Sequence, residues 1–183
     1  GYEPSRLYEG GFQLQKHYFG PKPGELTEEF LAQGADRHAE PAIKNGQSAL
    51  NPAWVSLVEI LARIEQQPYH WPVGRTLFQK IAYIATNEGL PTGLQYQRGS
   101  FGPFSSDLKT LEAKLVNNGL LQEERRGKMF MVSVGPNFSR IRQKYAPFFD
   151  QWNGILDKTA DLFTRVNTDQ AEIIATVLFA ARE

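Results

Sequence analysis

Glycine and proline divide residues 51–138 into three helical patterns followed by two short strands, and this order constrains the fold more than any other feature. The helical patterns run from Asn51 to about Gln66, from about Arg75 to Asn87, and from Ser105 or Ser106 to Gly119. Residues 94–97 alternate like a brief strand. The later strands, 120–124 and 129–134, flank a polar turn at residues 125–128. Three helices followed by a two-stranded wing predict a winged helix-turn-helix core over residues 51–138.

The segments on either side of this core differ in composition. Residues 1–50 are broken by glycine and proline and form a predicted N-terminal arm, with one short helix capped by Thr27. The arm also contains an aromatic cluster, which predicts that it packs on something: Phe12, His17, Tyr18 and Phe19. Residues 139–183 predict two further helices, 146–166 and 169–181, that pack on the core. The predicted fold class is therefore mainly α with a small β-hairpin, a winged helix-turn-helix core plus additional C-terminal helices.

The chain of 183 residues contains no cysteine, and its 20 basic residues balance 20 acidic ones. The lack of cysteine excludes disulfides and thiol nucleophiles and fits a reducing compartment. No apolar run is long enough to span a membrane, and the first residues do not resemble a signal peptide. We therefore expect a cytoplasmic protein with no membrane partner. Because the chain starts without Met and ends within an apolar helical pattern, we also expect it to be a fragment of a longer protein.

The sequence lacks the patterns that are typical of catalytic and metal sites. His17, His38 and His70 are far apart and have no ligand spacing, whereas zinc requires three or four converging ligands. The glycines form neither a dinucleotide-binding motif nor a P-loop. Glu123 and Glu124 are neighbours on a predicted strand, so their side chains point to opposite faces and cannot form an acid–base pair. We therefore predict no catalytic residue, no metal, no cofactor and no enzyme activity within this segment.

A winged helix raises the possibility of DNA binding, for which the candidate contacts are cations of the third helix and the wing tip: Lys109, Lys114, Arg125, Arg126 and Lys128. On the third helix, however, Asp107 and Glu112 balance the two lysines. Residues 51–138 contain nine basic and seven acidic residues, a surplus of only two. Because phosphate contacts dominate affinity for DNA, this balance favours another use of the fold. A winged-helix DNA-binding regulator remains the alternative function, and a solvated turn remains the plain interpretation of residues 125–128.

The loop from Tyr96 to Ser106 has the densest local pattern of turn-forming and aromatic residues in the chain. Two glycines and a proline restrict its backbone while Tyr96, Phe101 and Phe104 present large apolar faces. Rigid aromatic side chains are typical of partner-binding surfaces. The plain interpretation, which the sequence favours, is that the loop staples the second helix to the third. Lys80 and Tyr83 share one face of the second helix, and their plain interpretation is a solvated lysine beside a half-buried tyrosine.

The same residues carry a resemblance. Leu77, Lys80 and Tyr83, followed by Tyr96 and by Arg98-Gly99-Ser100-Phe101-Gly102-Pro103-Phe104-Ser105-Ser106-Asp107-Leu108, resemble a pattern of two related groups. These are the C-terminal domain of DarG-type macrodomain antitoxins and the SocA-like (Panacea) antitoxin domains. The segment 168–177 is similar to the last helix of these domains. The opening Gly1-Tyr2-Glu3-Pro4 resembles the final strand of DarG-type macrodomains, and the arm at residues 5–50 has no counterpart.

This resemblance implies a non-catalytic antitoxin module that binds and inhibits a cognate DNA ADP-ribosyltransferase toxin of the DarT type. It also implies a macrodomain upstream in the same chain that removes ADP-ribose from DNA. The implied partner-binding residues are those of the motif: Lys80, Tyr83, Tyr96, Arg98, Phe101, Phe104 and Asp107. Inhibition by imitating single-stranded DNA would require a row of carboxylates, for which the sequence offers Glu25, Glu28, Glu29, Asp157 and Asp161. A third hypothesis is a hydrolase whose active site needs the upstream domain.

Overall fold

The computed structural model describes residues 50–182, which contain six helices and two antiparallel β-hairpins. The prediction of a mainly helical fold with a small β-hairpin is confirmed. The predicted N-terminal arm, with its aromatic cluster and its helix after Thr27, lies outside the described residues. No helix in the described part is both long enough and apolar enough to cross a lipid bilayer.

The first helix, α1 (Pro52–Glu65), begins and ends close to its predicted positions. The Asn51 side chain accepts a hydrogen bond from the Ala53 amide at 2.9 Å, and Pro52 occupies the first helical turn, where its missing N–H costs nothing. The burial of α1 extends almost all round the helix, because even the polar Ser56 and Glu59 are fully buried. An all-round buried helix is the centre of a core rather than its edge.

The second helix, α2 (Arg75–Asn87), also has its predicted bounds, and Gly89 follows it with a φ of +114°. The connection from α1 is tied to the later hairpin, because Val73 accepts a hydrogen bond from the Val132 amide at 2.8 Å. The strand predicted at residues 94–97 lies elsewhere. Strand β1 (Gln97–Gly99) pairs with β2 (Gly102–Phe104), so the aromatic turn at residues 100–104 is largely the second strand of a tight hairpin. The alternation of residues 94–97 therefore does not mark the paired segment.

The third helix, α3 (Ser106–Asn117), starts after Ser105, as predicted, but the Ser105 hydroxyl makes no capping hydrogen bond. It buries Leu108, Leu111 and Leu115, whereas Val116 is only partly buried. Strands β3 (Leu121–Arg126) and β4 (Met129–Val134) follow, with Leu121 opposite Val134 and Arg126 opposite Met129. The turn between them is two residues shorter than predicted, since residues 125 and 126 belong to β3, and Gly127 has a φ of +62°.

The C-terminal region contains three helices where two were predicted: α4 (Phe138–Gln151), α5 (Asn153–Arg165) and α6 (Thr168–Ala180). The prediction of one helix over 146–166 is wrong because the chain leaves helical geometry at Trp152, at φ −105° and ψ 11°. Pro147 lies inside α4 rather than at a helix start. It is exposed, and because a proline has no N–H, the helix lacks one backbone hydrogen bond at this position. Asn167 caps α6 in a capping box with Gln170, as predicted for residue 167 or 168.

Helix α1 packs against α4, α5 and β4, while α2 packs against α5, α6 and β2. A charged network reinforces the packing of α1 against α4 and α5. Glu59, in the middle of α1, accepts hydrogen bonds from Arg63 at 2.9 Å and from two nitrogens of Arg142 on α4 at 2.6 and 2.7 Å. Arg63 also pairs with Asp157 on α5. Burial raises the pKa of Glu59, but the bonds from Arg142 and Arg63 outweigh it and lower that pKa overall. Through Arg63 and Arg142, this network therefore links α1 to both α4 and α5.

Candidate functional site

A groove of about 460 Å³ lies between the β1–β2 hairpin and α6. Residues 98–102 form one wall of this hairpin groove, and the other wall includes the α6 side chains of Glu172, Ile173, Thr176 and Val177. Helix α6 reaches this position because Asn167 and Gln170 start it with reciprocal side-chain bonds, and because Ala171 and Ala175 pack into the core. The hairpin groove therefore joins the aromatic turn to the last helix.

Lys80 lies beneath the hairpin and anchors it. The side chain is only 1% exposed, and its Nζ donates a hydrogen bond to the carbonyl of Pro103 at 3.0 Å. Burial lowers the pKa of Lys80, while the negative charge of Glu172 acts in the opposite direction. The interpretation of Lys80 as a solvated side chain is therefore wrong. The lysine and the Gly-Pro turn, which the sequence places more than twenty residues apart, form one unit.

Gly102 allows the hairpin to approach α6 closely. Its φ of +85° lies in the left-handed region that favours glycine. A Cβ atom at this position would lie 2.5 Å from the Thr176 Oγ1 and 3.6 Å from the Lys80 Nζ. Any side chain here would push the hairpin away from α6 and widen the groove.

A cluster of aromatic side chains packs between the elements that form the groove. The rings of Tyr83 and Tyr96 meet edge to face with centroids 5.0 Å apart, and Tyr83 contacts Phe179 of α6 at 6.1 Å. Tyr83 is buried, although its plain interpretation was a half-buried side chain. Burial raises the pKa of both tyrosine hydroxyls, so they stay neutral across the physiological range. The cluster ties α2, the segment before β1, and α6 together.

The rim of the hairpin groove is apolar and exposed. Phe101 is 69% exposed, and Ile173 and Val177 on α6 are 65% and 62% exposed. Arg98 lies at the same rim and is exposed, with no hydrogen bond or ion pair to another residue within 50–182. Large apolar side chains grouped at a concave surface are typical of an interaction site rather than of an ordinary monomer surface.

The structure brings most of the predicted partner-binding residues to one place. Arg98 and Phe101 line the groove, and Lys80, Tyr83 and Tyr96 support it. Phe104 is on β2 and 40% exposed, whereas Asp107 is exposed in the first turn of α3 and is not part of the groove wall. Sequence reasoning missed the α6 wall. Its signal was the run of apolar residues from Ile173 to Phe179, which is more than one buried helix face requires.

The cations proposed for DNA contact lie on α3 and the β3–β4 turn, and several already have partners. Arg126 pairs with Glu124 at 2.9 Å, and the Arg125 Nε donates to the Gly127 carbonyl at 3.1 Å. The Lys114 Nζ lies 5.2 Å from the centre of the Trp54 ring. Lys109 and Lys128 are exposed.

Glu112 changes the charge balance of α3. It was counted as a surface charge, yet only 8% of the residue is exposed and its Oε1 has no hydrogen-bond partner in the described part. Burial, with a contribution from nearby Glu123, raises the pKa of Glu112 to about 7, although Arg75 opposes this. Arg75 instead forms a bidentate pair with Glu123 at 2.6 and 2.7 Å. The exposed face of α3 therefore carries Lys109 and Lys114 against Asp107 alone.

Within residues 50–182, no three His, Asp or Glu side chains lie close enough together to hold a metal ion. His70 is exposed in the connection between α1 and α2, and His17 and His38 lie outside the described residues. Comparison with protein-family models gives no match for this chain. Comparison with curated proteins likewise identifies no significantly similar sequence. The geometry of the hairpin groove is therefore the main guide to function.

Proposed function

We propose that this chain is a non-catalytic antitoxin module that binds and inhibits a cognate DNA ADP-ribosyltransferase toxin through the hairpin groove. The observation that carries the proposal is the bond from the Lys80 Nζ to the Pro103 carbonyl. It unites the two halves of the motif on which the resemblance to DarG-type and SocA-like antitoxin domains rests. The unit that they form holds Phe101 outward, beside the exposed residues of α6.

A protein partner explains the exposed apolar rim. Phe101, Ile173 and Val177 would bury much of their surface against a partner, and each fully buried apolar side chain of this size contributes about 1.5–3 kcal/mol. The hairpin that carries Phe101 is anchored by the bond from Lys80 to the Pro103 carbonyl and by its close packing against α6. Pre-ordered aromatic side chains lose little entropy on binding, which is why they are frequent hot spots of interfaces.

We further propose that α1, α2, α3 and the β3–β4 hairpin form a winged helix-turn-helix core, with β1–β2 inserted before α3. The element order supports this proposal. In this core the inserted hairpin presents the partner-binding residues, so the winged helix would act as a protein-binding scaffold.

Imitation of single-stranded DNA by α5 is not part of the proposal. Asp157 pairs with Arg63 and hydrogen-bonds to Asn153, and Asp161 forms a pair with Arg165 at 2.7 Å. These carboxylates are compensated by arginines and do not form a row of free negative charges. The other acidic candidates, Glu25, Glu28 and Glu29, lie outside the described residues.

Calorimetry with a DarT-type toxin from the same genome, together with an assay of DNA ADP-ribosylation, tests the proposal. We expect binding with a Kd at or below about 1 μM, the affinity of a specific transient complex, and loss of toxin activity in the complex. Phe101→Ala should weaken binding about tenfold or more, as for an interface hot spot. Tyr69→Ala, at an exposed aromatic outside the groove, is the matched control. Absence of binding at micromolar concentrations would refute the proposal.

A second candidate function is a DNA-binding regulator, favoured by the surplus of lysine on the exposed face of α3 and by Arg125, Arg126 and Lys128 at the β3–β4 turn. Mobility-shift titrations of duplex DNA between 50 and 200 mM salt should then show a steep loss of affinity, on the order of tenfold or more. Arg125→Glu/Arg126→Glu should abolish the shift. A missing or salt-insensitive shift excludes this function.

A further inference from the structure

We infer that the hairpin groove takes an apolar side chain of the protein partner that stands next to a carboxylate in the partner's chain. The inference rests on the proposed function and deepens it, because it specifies the chemistry that the partner presents. Three features lead to it: the size of the groove, its apolar rim, and the cations in and behind its hairpin wall.

The size and the rim select the apolar side chain. The groove volume of about 460 Å³ falls within the range of natural ligand pockets, about 300–1,000 Å³, and is large enough for one or two side chains. Ile173 and Val177 are one helical turn apart on α6 and therefore share one face, opposite Phe101. An inserted aliphatic or aromatic side chain would contact all three.

The charges select the neighbouring carboxylate. Arg98 lies at the rim with no acidic partner within residues 50–182. The buried ammonium of Lys80 lies directly behind Gly102, 3.6 Å from where a Cβ would be. Among residues 50–182, Glu172 is the single acidic side chain of the groove wall, so Arg98 in the wall and Lys80 behind it leave the site with a positive balance. A carboxylate forms a bidentate pair with an arginine, whereas a lysine or arginine of the partner would be repelled.

A nucleic acid fits this site less well. Binding to the phosphate backbone requires a row of basic groups along the strand, but in the described part of the chain Arg98 is the one basic side chain that lines the groove. Base stacking on Phe101 alone would leave Ile173 and Val177 exposed. The apolar wall and the isolated guanidinium together favour a protein segment.

The test compares four variants of the full chain for binding to the toxin by calorimetry. Val177→Asp places a charge on the apolar wall, and Arg98→Glu reverses the charge of the rim. Met129→Asp and Arg140→Glu make the same changes at exposed residues outside the groove. The two groove variants should raise the Kd about tenfold or more, the effect of losing one good contact, while the controls stay within about threefold. Circular dichroism melts confirm that all four are folded.

If the wild-type chain binds the toxin and the groove variants bind equally well, the inference is wrong and the proposed function stands. If the wild-type chain does not bind, the proposed function fails, and a peptide titration followed by NMR decides the inference by itself. N-acetyl-Phe-Asp-amide should then shift the amide signals of residues 98–102 and 172–177, and N-acetyl-Phe-Lys-amide should shift them far less. Equal shifts with both peptides, or none with either, would overturn it.

Discussion

At the scale of single residues, Gly102 sets the distance between the hairpin and α6. Gly102→Ala should destabilise the protein by about 2–5 kcal/mol, since left-handed backbone costs an alanine about 1–2 kcal/mol and the clash with Thr176 adds an overpacking cost of about 1–3 kcal/mol. Urea denaturation measures the change. Gly127→Ala is the control, because Gly127 also has a positive φ but has open space around it. Equal losses in the two variants would show that the Gly102–Thr176 approach is not tight.

Glu112 predicts a dependence of stability on pH. Because its pKa is raised to about 7 in the folded protein from an ordinary 4.5, the folded state binds more protons between these values, and stability falls as the pH rises from about 4.5 to about 7. Glu112→Gln removes this loss. At pH 8 the variant should be more stable than the wild type by about 3 kcal/mol, at 1.36 kcal/mol per pKa unit, whereas at pH 4 the two should be similar.

Denaturant midpoints measured from pH 4 to pH 8 provide the comparison. Glu124→Gln, on the exposed face of the same β3 strand, should follow the wild-type profile within about 0.5 kcal/mol, as expected for a surface substitution. A constant difference between Glu112→Gln and the wild type across this range would contradict the assignment.

At the scale of elements, the N-termini of α3 and α6 differ in a way that substitution can measure. Asn167 caps α6 with a real side-chain bond, so Asn167→Ala should cost about 1 kcal/mol and loosen the α6 wall of the groove. Ser105 occupies the corresponding position of α3, but its buried hydroxyl has no partner in the described part. Ser105→Ala should therefore be neutral or slightly stabilising, because it removes an unsatisfied polar group. Thermal unfolding of both variants would reveal the contrast, and equal costs would count against it.

The sequence predicted the elements that local signals determine. Asn51-Pro52 starts α1, Gly89 follows α2, and Gly127 marks the β3–β4 turn, and each of these signals lies within a few residues of the boundary that it sets. The break at Trp152 was missed because the apolar pattern continues across it, from Phe148 and Phe149 to Ile155 and Leu156. No local pattern marks the point where the chain leaves helical geometry.

The candidate site was predicted only in part, for the same reason. The aromatic turn and the lysine on α2 were identified, but the bond between Lys80 and Pro103 and the approach of Gly102 to Thr176 join residues that are far apart in the chain. Such contacts depend on how the helices pack. The all-round apolar character of α6 was visible in the sequence, yet it did not indicate what would lie beside the helix.

At the scale of the whole molecule, the network around Glu59 links α1 to α4 and α5. Glu59→Gln should destabilise the protein by about 3 kcal/mol, because Arg63 and Arg142 lose a fully buried partner. Asp161→Asn, in the exposed pair with Arg165, should cost less than about 1 kcal/mol. Since the pKa of Glu59 is lowered, the wild type loses this stabilisation as the pH falls below about 4.5 and the variant does not. Denaturation at pH 7 and pH 3 tests both statements, and similar costs for the two variants would refute the first.

The complete burial of α1 also limits how the chain can be divided. Helices α4 and α5 cover the residues that α1 would otherwise expose, and their contacts with α1 close loops of about eighty to ninety residues. A fragment that stops after β4 would leave part of the buried surface of α1 uncovered, including the side chain of Glu59, which pairs with Arg142 on α4. The proposed winged-helix core is therefore not a separable building block. Chimeras that exchange this core between proteins would have to transfer the C-terminal helices with it. Because α4 and α5 are synthesised after α1, the packing of α1 can be completed only when they have been made.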